Sequence, residues 1–266
     1  MTEPSVEHLN PASRVYAVLA SAAGQPDNLS ALVAWAQVFK LPEAGELALG
    51  RAVAQHLQLL HEEVELMVMA FSISPVSRQR WEGAVIQVEH ATSPINLGAP
   101  WLGYKQHLTA ATLQTLAILA EVVGDDEAAV SQGELAGIEE RASALLTAIE
   151  TLGLSDEILA IVRRHIDMVR RAVQLYPLRG AKDLESVTKY AFVEAAHIQT
   201  ILQKRGDKEP SGLWDAFWRS VTAVVSKARG RTEGAKLLQH RMTQLLDGSA
   251  TSAEGDGAPL LVDGNK

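Results

Sequence analysis

The stretch DEILAIVRRHIDMVRRAVQLY, residues 156 to 176, has the most regular hydrophobic pattern in the chain. Its apolar residues and one histidine recur at intervals of four and three, which places them on one face of an α-helix. These residues are Ile158, Val162, His165, Val169, Ala172 and Tyr176. Similar spacing recurs along most of the chain, without the sustained alternation that is typical of strands. The sequence therefore predicts an all-α, bundle-like domain of eight or nine helices.

The residues after 176 predict a helical hairpin. Residues 177–182 have the composition of a turn, and residues 183–203 form a second helical pattern. In an antiparallel hairpin turned near Gly180, His165 lies opposite Glu194. A polar linker is predicted over 206–212, followed by helices over 213–228 and 232–246 and a disordered tail over 247–266.

Capping residues predict helix starts in the first half of the chain. Asn10 before Pro11 is typical of a capped start with a first-turn proline. Ser131 with Glu134 three residues later is a capping-box pattern. Long helices are also predicted over 42–71 and 101–123.

The distribution of charge divides the chain into two regions. Residues 1 to 160 contain 7 Lys/Arg and 20 Asp/Glu, so 7 − 20 gives −13, and residues 161 to 246 contain 16 and 8, so 16 − 8 gives +8. We predict an acidic helical region over 1–153 and a basic helical region over 154–246, packed as one unit. Such asymmetry concerns association more than fold.

Composition excludes several classes of protein. With 266 residues, 47% of them hydrophobic, the chain can bury a large core. It has no cysteine, which excludes disulfides, thiolate metal sites and thiol nucleophiles. The first residues lack the basic and apolar runs of a secretory signal, and the longest apolar stretches are too short to span a bilayer. We expect a cytoplasmic protein without a membrane span.

Basic residues on helix 156–176 and on the following turn form a candidate binding surface, which we call the basic ridge. Arginine side chains suit phosphate and carboxylate groups. The ridge therefore predicts a nucleic-acid, nucleotide or acidic protein partner, unless it is a solvated face or pairs with the acidic region of the same chain. It consists of Arg163, Arg164, Arg170, Arg171, Arg179 and Lys182.

A second candidate site combines His165 with Glu194 and His197. The last two have the E-x-x-H spacing, which projects a carboxylate and an imidazole from one helix face. No other histidine has glutamate three residues before it, so the pattern does not predict a di-metal site. The three residues have the right types for one metal ion. The alternative, which we favour, is a polar pair inside a helical interface.

Histidines and glutamates also cluster in the predicted helix 42–71. His61 and Glu65 share a face, whereas His56 and His61 are five residues apart and diverge, unlike the zinc-binding H-x-x-x-H spacing. We interpret this cluster, which includes Glu62 and Glu63, as a solvated acidic face.

Trp214 and Trp218 concentrate aromatic area on one face of the predicted helix 213–228. An exposed face of this kind would be a partner site, because tryptophan is enriched at binding hot spots. An apolar stripe on a helix normally faces a neighbour, so a core face is the favoured interpretation. Both residues are kept as binding candidates.

No phosphate-binding glycine loop, nucleophile elbow or Ser/His/Asp arrangement is found in the sequence. The sequence therefore favours a non-enzymatic interaction or regulatory protein without a cofactor. It would dock onto a protein partner, or associate with itself as a homo-oligomer, through complementary charged surfaces. The alternatives are a nucleic-acid-binding protein that uses the basic ridge and a metal-dependent enzyme that uses His165, Glu194 and His197.

Overall fold

The structure, a computed structural model, describes residues 9–205 and 208–230. These residues form ten α-helices, and their one β-type contact is an isolated bridge between Ser30 and Pro100. The predicted all-α fold is confirmed, with a helix count slightly above the expected one. The helices are α1 (Pro11–Ala23), α2 (Ala31–Val38), α3 (Glu46–Ile73), α4 (Arg78–Ala91), α5 (Leu102–Lys105), α6 (Ala110–Val122), α7 (Gln132–Glu150), α8 (Asp156–Arg179), α9 (Lys182–Arg205) and α10 (Lys208–Ala228). The helix predicted over 232–246 and the tail predicted over 247–266 lie outside the described residues.

Capping contacts confirm two predicted helix starts. Before α1, the side-chain oxygen of Asn10 accepts from the N–H of Ser13 at 2.9 Å, and Oγ of Ser13 accepts from the N–H of Asn10 at 3.0 Å. Before α7, Oγ of Ser131 accepts from the N–H of Glu134 at 3.2 Å, and the Glu134 carboxylate accepts from the N–H of Ser131 at 2.7 Å. Each capping box satisfies backbone donors that have no partner within the helix.

Two predicted boundaries in the first half of the chain are wrong. Helix α3 begins at Glu46, four residues later than expected. Residues 101–123 form two helices, α5 and α6, because Thr109 caps a new helix. Its Oγ1 accepts from the N–H of Thr112 at 3.1 Å. Such a side-chain bond offers the backbone an alternative to continuing the preceding helix.

Two boundaries in the second half are also wrong. Residues 208–212, predicted as linker, belong to α10. Ser211 is buried there, and the amide of Gln199 donates to its Oγ at 3.2 Å, which ties the start of α10 to α9. Pro177, predicted to open a turn, lies inside α8. The helix continues beyond this proline, and the next residue, Leu178, is buried.

Helices α8 and α9 form the predicted hairpin. The turn is at Gly180, whose φ of 62° lies in the left-handed region that glycine adopts readily. The predicted register is confirmed, because Nε2 of His165 lies 2.8 Å from Oε2 of Glu194.

Buried apolar side chains form two separate clusters. One is built by α1–α6, the N-terminal group, and the other by α7–α10, the C-terminal group. Helix α7 packs in the C-terminal group although it lies in the predicted acidic region 1–153, so packing and charge divide the chain at different places. The regions 1–153 and 154–246 stay a prediction. The largest fully buried side chains are Trp35, Trp101 and Phe71 in the first cluster and Trp214, Trp218 and Phe217 in the second.

Helix α8 links the two groups. It packs against α1 and α3 as well as against α7 and α9. Leu178, close to its C-terminal end, is a member of the first cluster. The C-terminal end of α8 and the turn at Gly180 therefore lie where the two groups meet.

Candidate functional site

Charged residues meet between the two groups in an arrangement that we call the charged junction. Its centre is Glu63 of α3, whose side chain is 0% exposed. The Glu63 carboxylate accepts from Nε of Arg14 at 3.0 Å and from Nζ of Lys182 at 2.7 Å. The junction consists of Arg14, Glu62, Glu63, Asp126, Glu127, Arg179, Lys182 and Arg229.

All three nitrogens of the Arg14 guanidinium group donate hydrogen bonds within the junction. Besides the bond to Glu63, its two terminal nitrogens donate to the two carboxylate oxygens of Asp126 at 3.2 and 3.1 Å. Its side chain is only 5% exposed. Burial acts to lower the pKa of Arg14, but the hydrogen bond to Asp126 and the charges of Glu63, Asp126 and Glu127 outweigh it and raise the pKa. Arg14 therefore stays a cation in a buried position.

Glu127 binds the start of α9. Its two carboxylate oxygens accept from the N–H of Ala181 at 3.1 and 2.9 Å, next to the positive end of the α9 dipole. Burial raises the pKa of Glu127, against the opposing effects of the Ala181 hydrogen bond, Arg14 and Arg229. Glu127 precedes α7 and so ties the segment between the two groups to the α8–α9 turn.

Tyr176 adds an uncompensated polar group beside these charges. Its hydroxyl is buried and has no hydrogen-bond partner among the described residues. Burial, followed by the charge of Glu127, raises the pKa of Tyr176 to about 12. The phenol is therefore neutral at physiological pH and does not contribute charge to the junction.

The structure places most of the predicted basic ridge in ion pairs with acidic residues of the same chain. Arg171 is exposed and has no ion-pair partner among the described residues. Each of the other five cations forms an ion pair with a carboxylate of the same chain. The pairs are Arg163 with Glu150 at 2.9 Å, Arg164 with Glu194 at 2.6 Å, Arg170 with Glu139 at 3.2 Å, Arg179 with Glu62 at 2.7 Å and Lys182 with Glu63 at 2.7 Å.

The two tryptophans predicted as binding candidates are core residues. Trp214 and Trp218 are fully buried, so a role as an exposed docking face is wrong and the core interpretation is confirmed. Their rings pack on His165, with centroid distances of 6.1 and 5.7 Å. Nε1 of Trp214 also donates to the carbonyl oxygen of Ala195 at 3.0 Å.

The structure brings together only two of the three predicted metal ligands. His165 is buried and bonded to Glu194, as the favoured interpretation expected, whereas His197 lies on the exposed side of α9. Among the described residues no group of three or more candidate ligand side chains could hold a metal ion, so the three-residue site is wrong. Burial lowers the pKa of His165, against the opposing effect of Glu194. The pair is therefore a neutral imidazole against a carboxylate within the α8–α9 interface.

Sequence reasoning missed the centre of the charged junction. Glu63 was interpreted as part of a solvated acidic face, but it is fully buried. A local signal was present, since Glu63 follows Leu60 by three residues and precedes Met67 by four, which places it on the apolar face of α3. The neighbouring prediction for the exposed pair His61 and Glu65 agrees with their 3.5 Å separation.

External comparisons add no functional constraint. Comparison with protein-family models, curated proteins and solved structures finds no match. Within the described part of the chain, no helix is long and apolar enough to cross a membrane. Function is therefore inferred from the charged junction and from the surfaces around it.

Proposed function

We propose that this chain is a non-enzymatic regulatory protein that opens at its charged junction to engage a protein partner. The observation that supports this most directly is that ion pairs of Glu62 with Arg179 and of Glu63 with Lys182 join two groups of helices with separate cores. In the closed form the acidic and basic surfaces satisfy each other. In an open form the same surfaces become available to a partner of complementary charge.

Burial of charge between the two groups is costly. An ion pair loses hydration when it is buried, and well-packed apolar side chains in its place are often equally or more stabilising. Salt bridges at an interface have discrete partners, and their exchange accompanies rigid-body rotation in switching proteins. A charged boundary between two apolar cores therefore suits a reversible contact better than a permanent one.

The ion pairs of the junction differ in their exposure, which indicates where a partner gains access. Glu63 is fully buried, whereas the side chain of Glu62 is 40% exposed and its pairing cation, Arg179, is 14% exposed. An acidic segment of a partner would therefore compete first with Glu62 for Arg179. Release of Lys182 from Glu63 would follow when the start of α9 separates from α3.

Sedimentation velocity with Glu63→Gln tests this proposal by using the chain as its own charged partner. The substitution preserves the shape of the side chain and removes the charge that holds Arg14 and Lys182. We expect a monomeric wild-type protein, and a variant that associates at low salt and dissociates at high salt. Glu82→Gln, in the exposed pair with Arg78, is the matched control and should behave as wild type.

Hydrogen exchange measured on the same samples reports whether Glu63→Gln opens the structure at the start of α9. A Glu63→Gln variant that exchanges faster at the start of α9 and yet stays monomeric at low salt would contradict the proposal. Unchanged exchange there would also contradict it, because the junction would then not depend on its central charge.

The nucleic-acid alternative stays a prediction, and the metal-enzyme alternative does so without its three-residue site, which the described residues do not form. No specific observation in the described residues favours them over the regulatory proposal. Five ridge cations already have carboxylate partners, which offset their positive charge toward a phosphate.

A further inference from the structure

A cleft of about 460 Å³ lies where the two groups of helices meet. The N-terminal group contributes Val18 of α1 and residues 38–42 at the end of α2 and just after it, and the C-terminal group contributes Leu175 and Leu178 of α8. Most of the lining side chains are apolar. Small-molecule sites in proteins are typically apolar clefts of about 300–1,000 Å³ with a few polar groups that orient the ligand.

Two nitrogen-bearing side chains supply polar groups in this cleft. Lys40 lines it, is exposed and has no ion-pair partner among the described residues. Nδ1 of His56 lies 2.8 Å from the carbonyl oxygen of Ala52. Because a carbonyl only accepts, Nδ1 carries the hydrogen, and Nε2 of the neutral ring is left as a hydrogen-bond acceptor. The ring of Phe39, 5.1 Å from that of His56, packs beside the imidazole.

The backbone at Lys40 has a fixed conformation. Lys40 has a φ of 53°, in the left-handed region that a lysine rarely adopts. The conformation is held by backbone bonds from Lys40 to Gln37 at 3.1 Å and from Leu41 to Ala36 at 2.9 Å. Glycine or asparagine would meet the backbone requirement with less strain. The two bonds form the Schellman motif that ends α2, so the end of the helix accounts for the left-handed conformation.

We propose that the cleft binds a small amphipathic acid, with one carboxylate and an apolar body. The carboxylate pairs with Lys40, and the apolar body lies against Val18, Leu175 and Leu178. This chemistry follows from a cation without a counterion at one side of an apolar cleft. Neither a neutral nor a cationic amphiphile would use that cation.

Because the cleft lies between the two groups of helices, its ligand would have an effect that goes beyond the proposed function. Its walls come from both groups, so a bound acid contacts α1 and α8 at once and stabilises their closed arrangement. Binding itself does not require the groups to move. It can therefore be measured independently of the opening of the junction.

Isothermal titration calorimetry with sodium decanoate, decanol and decylamine tests the proposed ligand class on the full chain. We expect decanoate to bind at one site, decanol to bind about tenfold more weakly, and decylamine not to bind, because a charge-assisted bond to a carboxylate is lost in both analogues. Equal binding of decanoate and decanol, or no binding of decanoate, would overturn the proposal.

Variants of Lys40 test the role of the cation. Lys40→Asn keeps a residue that tolerates the left-handed backbone, and we expect it to weaken decanoate binding about tenfold. Lys40→Arg should retain binding, and Arg80→Gln, which removes an exposed cation from α4, should leave it unchanged. Full affinity in Lys40→Asn would contradict the proposal.

Hydrogen exchange then locates the bound decanoate. Protection is expected in residues 36–42 and 174–178, and protection confined to other segments would contradict the proposed site. The regulatory proposal depends on the response to Glu63→Gln without ligand, so failure of decanoate to bind would leave that proposal unaffected.

Discussion

Glu63 and Lys182 lie 119 residues apart in the chain, and Nζ of Lys182 donates to Oε1 of Glu63 at 2.7 Å. The bond connects the middle of α3 to the first residue of α9. Arg14 of α1 donates to the other oxygen of the same carboxylate. One buried carboxylate therefore joins three helices from both groups, and the stability of their arrangement depends on it.

Removal of the Glu63 carboxylate should be strongly destabilising. Glu63→Ala leaves the buried Arg14 without one of its two carboxylate partners, and a change of this kind typically costs about 3–5 kcal/mol. Urea unfolding followed by circular dichroism measures the change in free energy. Glu82→Ala breaks an exposed pair and should cost less than about 1 kcal/mol. Similar losses of unfolding free energy in the two variants would show that burial of the Glu63 ion pairs adds nothing to stability.

Substitution of Gly180 should be more costly than substitution of another glycine with the same backbone geometry. Gly180 and Gly153 have φ values of 62° and 58°. A Cβ at Gly180 would lie 2.6 Å from Oε1 of Glu127, whereas one at Gly153 would have no neighbour within 4 Å. Gly153→Ala should cost about 1 kcal/mol through its backbone alone. Gly180→Ala should cost clearly more in the same unfolding assay, and equal costs would contradict the close contact with Glu127.

The raised pKa of Glu127 predicts a specific dependence of stability on pH. A carboxyl group whose pKa is higher in the folded than in the unfolded protein contributes stability at low pH, and this is lost as pH rises through the folded pKa. Its ordinary pKa is 4.5, so the loss begins above that pH. Glu127→Gln keeps an oxygen that accepts from Ala181 and removes the ionisation. The difference in unfolding free energy, variant minus wild type, should therefore rise as pH increases from about 4.5. A difference that is constant with pH would contradict the account.

Two tyrosine variants compare an unsatisfied hydroxyl with a satisfied one. Within the part of the chain that the structure describes, the buried hydroxyl of Tyr176 has no hydrogen-bond partner, so Tyr176→Phe should be neutral or stabilising by up to about 1 kcal/mol. The hydroxyl of Tyr104 donates to the carbonyl oxygens of Ile95 and Asn96. Tyr104→Phe should therefore destabilise by about 0.5–1.5 kcal/mol in thermal unfolding. A destabilising Tyr176→Phe would indicate a hydrogen bond that the structure does not contain.

Sequence patterns predicted the features that depend on local chemistry. The capping boxes at Asn10 and Ser131 involve residues three apart, and the register of His165 with Glu194 follows from the position of the turn at Gly180. These interactions span short segments whose geometry is set by the helix itself. They were therefore visible without knowledge of the tertiary structure.

The charged junction was not predictable in the same way. Charge counts indicated an acidic and a basic region, but they did not show which carboxylate meets which cation. Contacts such as that of Arg14 with Asp126 join residues more than a hundred positions apart, and they depend on how the helices pack. Burial of Glu63 had a local signal on α3, whereas its partner Lys182 had none. The continuation of α8 through Pro177 likewise depends on tertiary burial, here of Leu178.

The most direct test of the central claim is a distance measurement across the charged junction by pulsed electron spin resonance. The chain contains no cysteine, so two introduced cysteines can be labelled without background. Labels at the exposed positions Gln55 and Glu140 span the two groups, and labels at Gln55 and Glu121 lie within the N-terminal group. In Glu63→Gln we predict a longer and broader distribution for the first pair and an unchanged one for the second. Identical distributions for the first pair in wild type and variant would contradict the claim that the buried Glu63 carboxylate holds the two groups together.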